Sequence, residues 1–181
     1  ASSDVEVGSN TTFGVTLNAA DQLKVGGLLN KNGTSSDGGT TYNLAAADNW
    51  LAGAAASADI SDASSNGITV SNVANPTLSS AVYDAASGEL TVTGTNFVKE
   101  NGSNNDIDIS KLSITGEGGS SHSYTLTSSA VEVSSSTQFS VTLNAADQLN
   151  VGGLLNKNGT SSDGGTTYNL AAADNWVAGA A

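Results

Sequence analysis

The chain of 181 residues contains no cysteine, no methionine and no arginine, and it has one histidine and one proline. Without cysteine it can form no disulfide, no thiolate nucleophile and no cysteine-based zinc or iron–sulfur site. No apolar run reaches the length of a transmembrane helix, and no signal peptide pattern is present. Because methionine is missing altogether, we expect the chain to be a processed or excised segment of a longer protein.

Basic residues are also scarce: five lysines face 17 acidic residues, which gives a formal net charge of -12 at pH 7. Nucleic acids and anionic membranes are bound through Lys and Arg, so this balance disfavours both as partners. It suits a soluble surface protein in a salty or calcium-rich medium, where cations offset the self-repulsion of the chain. Acidity that serves solubility alone is an equally good interpretation.

The first 55 residues of the chain reappear as its last 55. Residues 1–55 (the N-terminal copy) align without a gap on residues 127–181 (the C-terminal copy), and 47 of the 55 pairs are identical. Between residues 15 and 50 a single position differs. The period exceeds that of a helical solenoid repeat and matches a whole small domain. We therefore expect the chain to be a segment of a longer tandem array of repeat units.

On this basis the chain divides into three parts. Residues 1–55 are the C-terminal part of a preceding repeat unit, residues 56–75 are a linker, and residues 76–181 are a complete unit. The linker is small and polar, which predicts a flexible or semi-extended connection. A piece the size of the N-terminal copy is marginal alone, so we expect it to pack on the complete unit, borrow a strand or form its own subfold. The two copies should adopt the same local conformation.

Alternating apolar residues predict short β-strands. Phe139 and Val141 stand two positions apart, and so do Leu90 and Val92. In the complete unit seven or eight such segments are separated by turn signals, among them a hairpin loop at residues 84–88. This spacing predicts a mainly β fold, in the form of immunoglobulin-like β-sandwich units.

Each copy also contains signals for short helices. Asn18 can cap a helix over residues 19–30, and Asn43 can cap a second, alanine-rich helix over residues 44–53. Both signals recur in the C-terminal copy. The sequence therefore predicts one or two short α-helices per unit.

One segment resembles the opening of immunoglobulin-like repeats in very long bacterial surface proteins and adhesins: residues 75–98, which read Asn-Pro-Thr-Leu-Ser-Ser-Ala-Val-Tyr-Asp-Ala-Ala-Ser-Gly-Glu-Leu-Thr-Val-Thr-Gly-Thr-Asn-Phe-Val. Its Leu-Thr-Val-Thr-Gly-Thr-Asn-Phe part is also similar to the start of transcription-factor-type immunoglobulin domains. Residues 167–176, Thr-Tyr-Asn-Leu-Ala-Ala-Ala-Asp-Asn-Trp, are similar to the closing part of the adhesin-type repeats. The resemblance implies an extracellular structural repeat, of a kind often accompanied by calcium-binding nonapeptides. No such nonapeptide occurs in this chain.

No motif predicts an enzyme. The single histidine, His122, lies among serines beside a glycine-rich loop, and the chain has no Gly-x-Ser-x-Gly nucleophile motif. It also has neither a phosphate-binding loop nor a dinucleotide-binding fingerprint. We interpret His122 as a solvated loop residue.

The first candidate calcium site is a loop in the complete unit. Asn104, Asp106 and Asp108 place oxygen atoms at alternating positions just before a predicted strand, as hard-cation sites often do. The loop lacks the glycine and the distal glutamate of an EF-hand. A solvated acidic loop, with Ile107 and Ile109 pointing inward, is the alternative.

The second candidate calcium site is the linker, where Asp59 and Asp62 could meet Asp48 or Asp84. A calcium ion there would cross-link carboxylates that otherwise repel one another, and would stiffen the array. Calcium is the one cofactor that the sequence suggests.

A tryptophan stands near the end of each copy, Trp50 in the first and Trp176 in the second. Packing in the core beneath a helix is the favoured interpretation for both. An exposed tryptophan would instead offer a surface for stacking on a sugar or on a neighbouring unit.

These observations together predict a structural role in a secreted or cell-surface bacterial protein. The segment would act as a spacer or adhesive, or would assemble head-to-tail through sheet-edge pairing. Its partners would be neighbouring repeat units or other copies of itself, with no nucleic acid and no membrane insertion. The alternative is a calcium- or glycan-binding extracellular module.

Overall fold

The computed structural model describes all 181 residues. The protein is mainly β, with two antiparallel sheets and two short α-helices. It forms two compact units: the first contains Ala1–Gly27 and Asn75–Ala180, and the second contains Leu28–Ala74 with Ala181. The division runs through the N-terminal copy, whereas the C-terminal copy lies in the first unit except for its last residue.

Seven strands, all in the first unit, make up the two sheets. They run over Thr77–Asp84 (β1), Glu89–Thr95 (β2), Leu112–Thr115 (β3), Tyr124–Thr125 (β4), Val133–Ser135 (β5), Gln138–Thr142 (β6) and Asn169–Ala172 (β7). One sheet has four strands in the order β1-β2-β6-β5, and the other has three in the order β4-β3-β7. Because β2 lies in the middle of the larger sheet, its two neighbours are β1 and β6.

The predicted hairpin loop joins β1 to β2. Gly88 donates its backbone N–H to the carbonyl of Asp84 at 2.8 Å. Its φ of 73° lies in the left-handed region, which glycine adopts without a Cβ clash. Asp84 closes the turn further by accepting a 2.8 Å hydrogen bond from the backbone N–H of Ala86. This prediction is confirmed.

Both sheets contribute inward-facing side chains to a single core. Leu90 and Val92 of β2 and Phe139 of β6 pack in the same buried cluster as Leu112 and Ile114 of β3. The alternation predicted for these segments is therefore confirmed, since every second side chain of β2, β3 and β6 is buried. Two antiparallel sheets sharing one core are consistent with a β-sandwich.

Three aromatic rings fill the centre of this core. The ring centroids of Phe97 and Trp176 lie 5.5 Å apart in an edge-to-face arrangement, and those of Phe97 and Phe139 lie 5.7 Å apart. Such pairs contribute about 0.5–1.5 kcal/mol beyond the area they bury. Phe97 follows β2 while Trp176 follows β7, so the cluster joins the two sheets.

The two helices cover Ala19–Leu28 (α1) and Ala145–Leu154 (α2). Each begins after the predicted asparagine: Asn18 Oδ1 accepts the backbone N–H of Asp21 at 2.9 Å, and Asn144 Oδ1 accepts that of Asp147 at 2.9 Å. These contacts satisfy backbone donors that the first turn of a helix leaves unpaired. The prediction is confirmed, with α1 ending two residues earlier than expected.

The second predicted helix of each copy is wrong. In the C-terminal copy the residues after Asn169 form β7, which pairs antiparallel with β3 from Asn169 opposite Thr115 to Ala172 opposite Leu112. In the N-terminal copy the same sequence makes isolated bridges, at Asn43 and Ala46. Nucleation of a short helix is unfavourable, whereas the open edge of a strand provides hydrogen-bond partners for the backbone. Tertiary pairing therefore overrides the helical propensity of this alanine-rich segment.

The predicted linker is paired with the rest of the second unit. Its residues form backbone bridges to the N-terminal copy at three places: Asp62 with Ala46, Gly67 with Asn43, and Val70 with Gly33. The N–H of Val70 donates to the carbonyl of Gly33 at 2.8 Å, and the N–H of Gly33 donates back at 2.9 Å. These bridges hold the segment against the N-terminal copy at three separate positions.

The two copies repeat their local hydrogen bonds after the helix. The hydroxyl of Tyr42 donates to the carbonyl of Lys31 and accepts its N–H, and Tyr168 makes the same pair of contacts with Lys157. For the helix and this turn, the expectation of a shared conformation is confirmed. The copies differ before the helix, where the C-terminal copy forms β5 and β6 and the N-terminal copy makes one isolated bridge.

Candidate functional site

Asp106, from the first candidate calcium site, is fully buried, with 0% of its surface exposed. Its Oδ1 accepts the backbone N–H of Glu100 at 2.7 Å, and its Oδ2 accepts that of Val133 at 3.0 Å. The ammonium of Lys99 lies 3.6 Å from Oδ2. Each oxygen of the Asp106 carboxylate therefore accepts a hydrogen bond, as a buried charge requires. The hydrogen bond from Val133 links the loop to the start of β5.

The other two side chains of this loop lie elsewhere. Asp108 caps a short 3-10 turn at Ile109–Lys111, where it accepts the backbone N–H of Ser110 at 3.0 Å and its hydroxyl at 2.6 Å. Asn104 is exposed and has a left-handed backbone, with φ of 54°. Asp106 thus points into the core while Asp108 and Asn104 serve the turn around it. No group of three or more His, Cys, Asp or Glu side chains in the structure could hold a metal ion.

An ion pair holds the same loop against the neighbouring chain segment. The ammonium of Lys99 is hydrogen-bonded to the carboxylate of Glu132. This contact raises the pKa of Lys99 and lowers the pKa of Glu132, because each charge favours the other. Glu132 also accepts the backbone N–H of Asn105 at 3.2 Å, while the buried side-chain oxygen of Asn105 has no hydrogen-bond partner.

The linker candidates, Asp59 and Asp62, are both exposed. Asp59 accepts the hydroxyl of Ser61 at 2.7 Å and its N–H at 3.0 Å, and these hydrogen bonds lower the pKa of Asp59. Asp62 takes part in the backbone bridge to Ala46 described above. Asp48 accepts the N–H of Ile60 at 3.1 Å. The carboxylates of Asp48 and Asp59 therefore each organise a local turn. Asp84 lies in the β1–β2 hairpin of the first unit.

The most strongly hydrogen-bonded carboxylate in the structure is one that the sequence analysis missed. Asp147, in the first turn of α2, has 0% of its surface exposed. It accepts the hydroxyls of Tyr124 at 2.9 Å, Thr127 at 2.7 Å and Ser128 at 2.5 Å. It also accepts the backbone N–H groups of Thr127 at 2.9 Å and Ser128 at 2.8 Å. Five donors converge on one carboxylate and join α2 to the segment that follows β4.

The pKa of Asp147 reports the balance between burial and these donors. Burial is the largest single influence and raises the pKa, but the hydrogen bonds from Ser128, Thr127 and Tyr124 together outweigh it. The pKa of Asp147 therefore lies below its ordinary value of 3.8. The group is ionised in the folded protein at neutral pH, and it stabilises the fold there.

Asp21 is the counterpart of Asp147 in the N-terminal copy and has fewer donors. It accepts the hydroxyl of Ser2 at 2.7 Å and the side-chain amide of Asn18 at 3.0 Å, and the hydrogen bond from Ser2 lowers its pKa. A partial signal existed in the sequence, because both copies repeat Asn-x-x-Asp at the start of a helix. The donors contributed by Tyr124 and Thr127 depend on tertiary structure and could not be anticipated.

The histidine and the tryptophans occupy contrasting environments. His122 is exposed, with Nδ1 3.1 Å from the carbonyl oxygen of Gly118. Trp176 is 8% exposed and belongs to the core, as predicted, whereas Trp50 is 49% exposed. The core prediction for Trp50 is therefore wrong. Its indole N–H donates to the carbonyl of Ile60 at 2.9 Å.

The N-terminal hairpin, residues 5–15, exposes apolar side chains that are buried in the C-terminal copy. Val7 is 55% exposed and Val15 is 45% exposed. Their counterparts Val133 and Val141 are 5% and 4% exposed. The same valine side chains are thus exposed to solvent in the N-terminal copy and buried in the core in the C-terminal copy.

Comparison with known proteins gives no relative: no family model, curated protein or solved structure matches the chain. Neither helix is long and apolar enough to cross a membrane. The class that the structure defines is a mainly β protein with two antiparallel sheets around one core.

Proposed function

We propose that this chain is a structural repeat segment of a secreted or cell-surface bacterial protein. In this role it acts as a spacer or adhesive segment of immunoglobulin-like units, or assembles head-to-tail through sheet-edge pairing. The observation that carries the proposal is the internal repeat, whose two copies form the same capped helix and the same tyrosine-closed turn. Serial use of one folded unit provides length and spacing.

Hydrogen bonds and ring contacts inside the first unit support a mechanical role. The buried carboxylates of Asp106 and Asp147 each join segments distant in sequence, Asp106 to Val133 and Asp147 to Tyr124. The aromatic cluster joins the two sheets. Hydrogen bonds of this kind resist separation of the segments that they join, because pulling those segments apart leaves a buried charge without its donors.

Force spectroscopy tests the spacer role directly. The chain is stretched between handles at its two ends, and the extension released at each unfolding step is recorded. We expect one cooperative step from the complete unit, with a released length of roughly 350 Å for residues 76–181 before subtraction of the folded length. Gradual extension without a force peak would contradict a spacer that holds its length under load.

A calcium-binding module is the second candidate, and the uncompensated oxygen of Asn105 is the observation that favours it. This buried atom has no hydrogen-bond partner, and Asn105 stands between the predicted ligands Asn104 and Asp106 in the sequence. An amide oxygen is an acceptable calcium ligand. Calcium bound there would stabilise the folded state in proportion to its concentration.

Thermal unfolding with calcium and with a chelator decides between the two candidates. A calcium module should lose stability in chelator, and the variant Asn105→Ala should no longer respond to calcium. Asp59→Asn is the matched control, because it changes the other predicted site. An unchanged midpoint in chelator would remove calcium as a structural partner and leave the spacer role.

A further inference from the structure

Strand β7 pairs with β3 through one of its two edges. Ala173, directly after β7, donates its backbone N–H to the carbonyl of Lys111 at 2.9 Å. Because hydrogen-bonded and non-hydrogen-bonded positions alternate in an antiparallel pair, the backbone groups of Ala171 lie on the same edge. Those of Leu170 and Ala172 lie on the opposite edge. The partner of β3 therefore has a second edge with its own row of backbone groups.

The same strand sequence in the N-terminal copy pairs through that opposite edge. Residues 168–176 recur there without a change. The N–H groups of Leu44 and Ala46 donate to linker carbonyls, those of Asn66 at 2.9 Å and Asp62 at 2.7 Å. These two donors are the counterparts of the β7 residues that face away from β3. The linker and β3 therefore use different edges of one strand sequence.

The backbone around this strand has the same conformation in both copies. Gly33 exchanges two backbone hydrogen bonds with Val70 of the linker and has φ of 113°, and its counterpart Gly159 has φ of 115°. Asn49 and Asn175, in the turn after the strand, both have φ of 59°. The C-terminal copy thus already has the conformation that holds a linker, so little ordering would oppose the pairing.

The polar side chains that hold the linker are repeated as well. Asn43 Oδ1 accepts the backbone N–H of Asn66 at 2.9 Å. Asp48 Oδ1 accepts that of Ile60 at 3.1 Å. Their counterparts in the C-terminal copy are identical and exposed: Asn169 and Asp174. The surface therefore offers a linker the same acceptors at the same positions.

We propose that this strand is the middle one of three in every repeat, with β3 on one edge and the linker that follows it in the chain on the other. In a tandem array the partner of the C-terminal copy is a segment with the sequence of residues 56–75, placed after Ala181 as the linker is placed after Ala55. The smaller sheet then has the order β4-β3-β7-linker.

This inference rests on the proposed function and deepens it, because it names the edge and the partner of the sheet-edge pairing. A flexible linker adds length that fluctuates. A linker that is hydrogen-bonded to the preceding strand keeps its length instead. The junction between consecutive units is then a pair of strands, as a spacer requires.

The test extends the full chain by a second copy of residues 56–75, joined after Ala181. Hydrogen exchange is followed at single amides in the chain labelled with nitrogen-15. We expect exchange at Leu170 and Ala172 to slow at least tenfold relative to the chain without the extension. Ala171, which is already bonded to β3, should keep its rate.

The matched control carries Asp62→Pro and Val70→Pro in the added copy, which remove two N–H groups that the linker donates. The two outward amides of β7 should then exchange as they do in the chain without the extension. The same pair of substitutions in the original linker should speed exchange at Leu44 and Ala46 and leave β7 unaffected.

Two results would overturn the proposal. Unchanged exchange at Leu170 and Ala172 in the extended chain would mean that the linker does not pair with β7. Faster exchange at Ala171 would mean that the linker displaces β3, which makes the two partners alternatives. Either result leaves the force measurement of the spacer role intact, because that measurement concerns residues 76–181.

A disulfide measures the same pairing without exchange rates. Asn43 stands opposite Gly67 of the linker, and the chain has no cysteine of its own. Asn169→Cys with Gly67→Cys in the added copy should therefore cross-link under mild oxidation, as Asn43→Cys with Gly67→Cys in the original linker should. Leu170→Cys is the matched control, because its side chain points to the other face of β7. Equal cross-linking at 169 and 170, or none at 169 while 43 cross-links, would refute the pairing.

Discussion

Replacing Asp147 by Asn tests whether the buried carboxylate stabilises the first unit. The substitution keeps the size of the side chain and removes the charge that five donors share. Hydrogen bonds to a charged group contribute about 1.5–3 kcal/mol and neutral ones about 0.5–1.5 kcal/mol. The hydroxyls of Tyr124 and Thr127 can rotate to accept from the new amide, so part of the network survives. We expect a net loss of about 2–4 kcal/mol in the free energy of unfolding.

Asp21→Asn is the matched control, since it makes the same change at the same place in the N-terminal copy. Asp21 is partly exposed, and its carboxylate accepts side-chain hydrogen bonds from Ser2 and Asn18 only. Its effect on the unfolding free energy should be much smaller. Urea unfolding followed by far-ultraviolet circular dichroism gives both midpoints, with the slope confirming that the transition stays two-state.

The pH dependence provides a second, independent readout for Asp147. Its folded pKa is lowered below 3.8, so its contribution is fully present above the unfolded pKa and disappears as pH falls through the folded pKa. Asn does not titrate. The stability gap between the unaltered chain and Asp147→Asn should therefore be constant above about pH 5 and should shrink as the pH falls below 3.8. The reasoning would be refuted if Asp147→Asn and Asp21→Asn lowered the free energy of unfolding equally. It would also be refuted if the stability gap did not depend on pH.

Two further predictions use the duplicated sequence as its own control. Val141→Ala should lower the unfolding free energy by about 1–3 kcal/mol, because it removes buried methyl groups, whereas Val15→Ala should cost much less in the isolated chain; urea midpoints measure both, and equal costs would contradict the exposure of Val15. With Trp176→Phe the remaining indole is the 49% exposed Trp50, so acrylamide should quench its fluorescence strongly, while with Trp50→Phe the 8% exposed Trp176 should be protected. Similar quenching constants would show that the two environments do not differ as described.

The local features of the fold were predictable from the sequence. The β1–β2 hairpin follows from a glycine that can adopt positive φ at Gly88, and α2 follows from an asparagine cap at Asn144. The strands of the larger sheet follow from alternation at Leu90 and Val92. In each case the information lies within a few residues, so a single sequence suffices.

Features that depend on distant partners were not predictable. The residues after Asn169 have helical propensity, and only the open edge of β3 makes them a strand. Asp106 has the spacing of a cation ligand, yet its oxygens are used by the N–H groups of Glu100 and Val133. Trp50 and Trp176 stand in the same Asp-Asn-Trp sequence but differ in burial, and Trp176 is buried because it packs against Phe97 and Phe139 in the core.

The central place of β2 has a consequence for how the chain reaches its final topology. When this 181-residue chain refolds, two near-identical hairpin sequences compete for its one copy of β2. The difference in loop-closure entropy between the two choices is only about 0.3 kcal/mol, so chain length hardly decides the winner. Thr127, which is Ala1 in the other copy, gives Asp147 a hydroxyl donor that Asp21 lacks. The hydroxyl that threonine adds in place of alanine at the edge of the repeat thus favours pairing of β2 with the C-terminal copy.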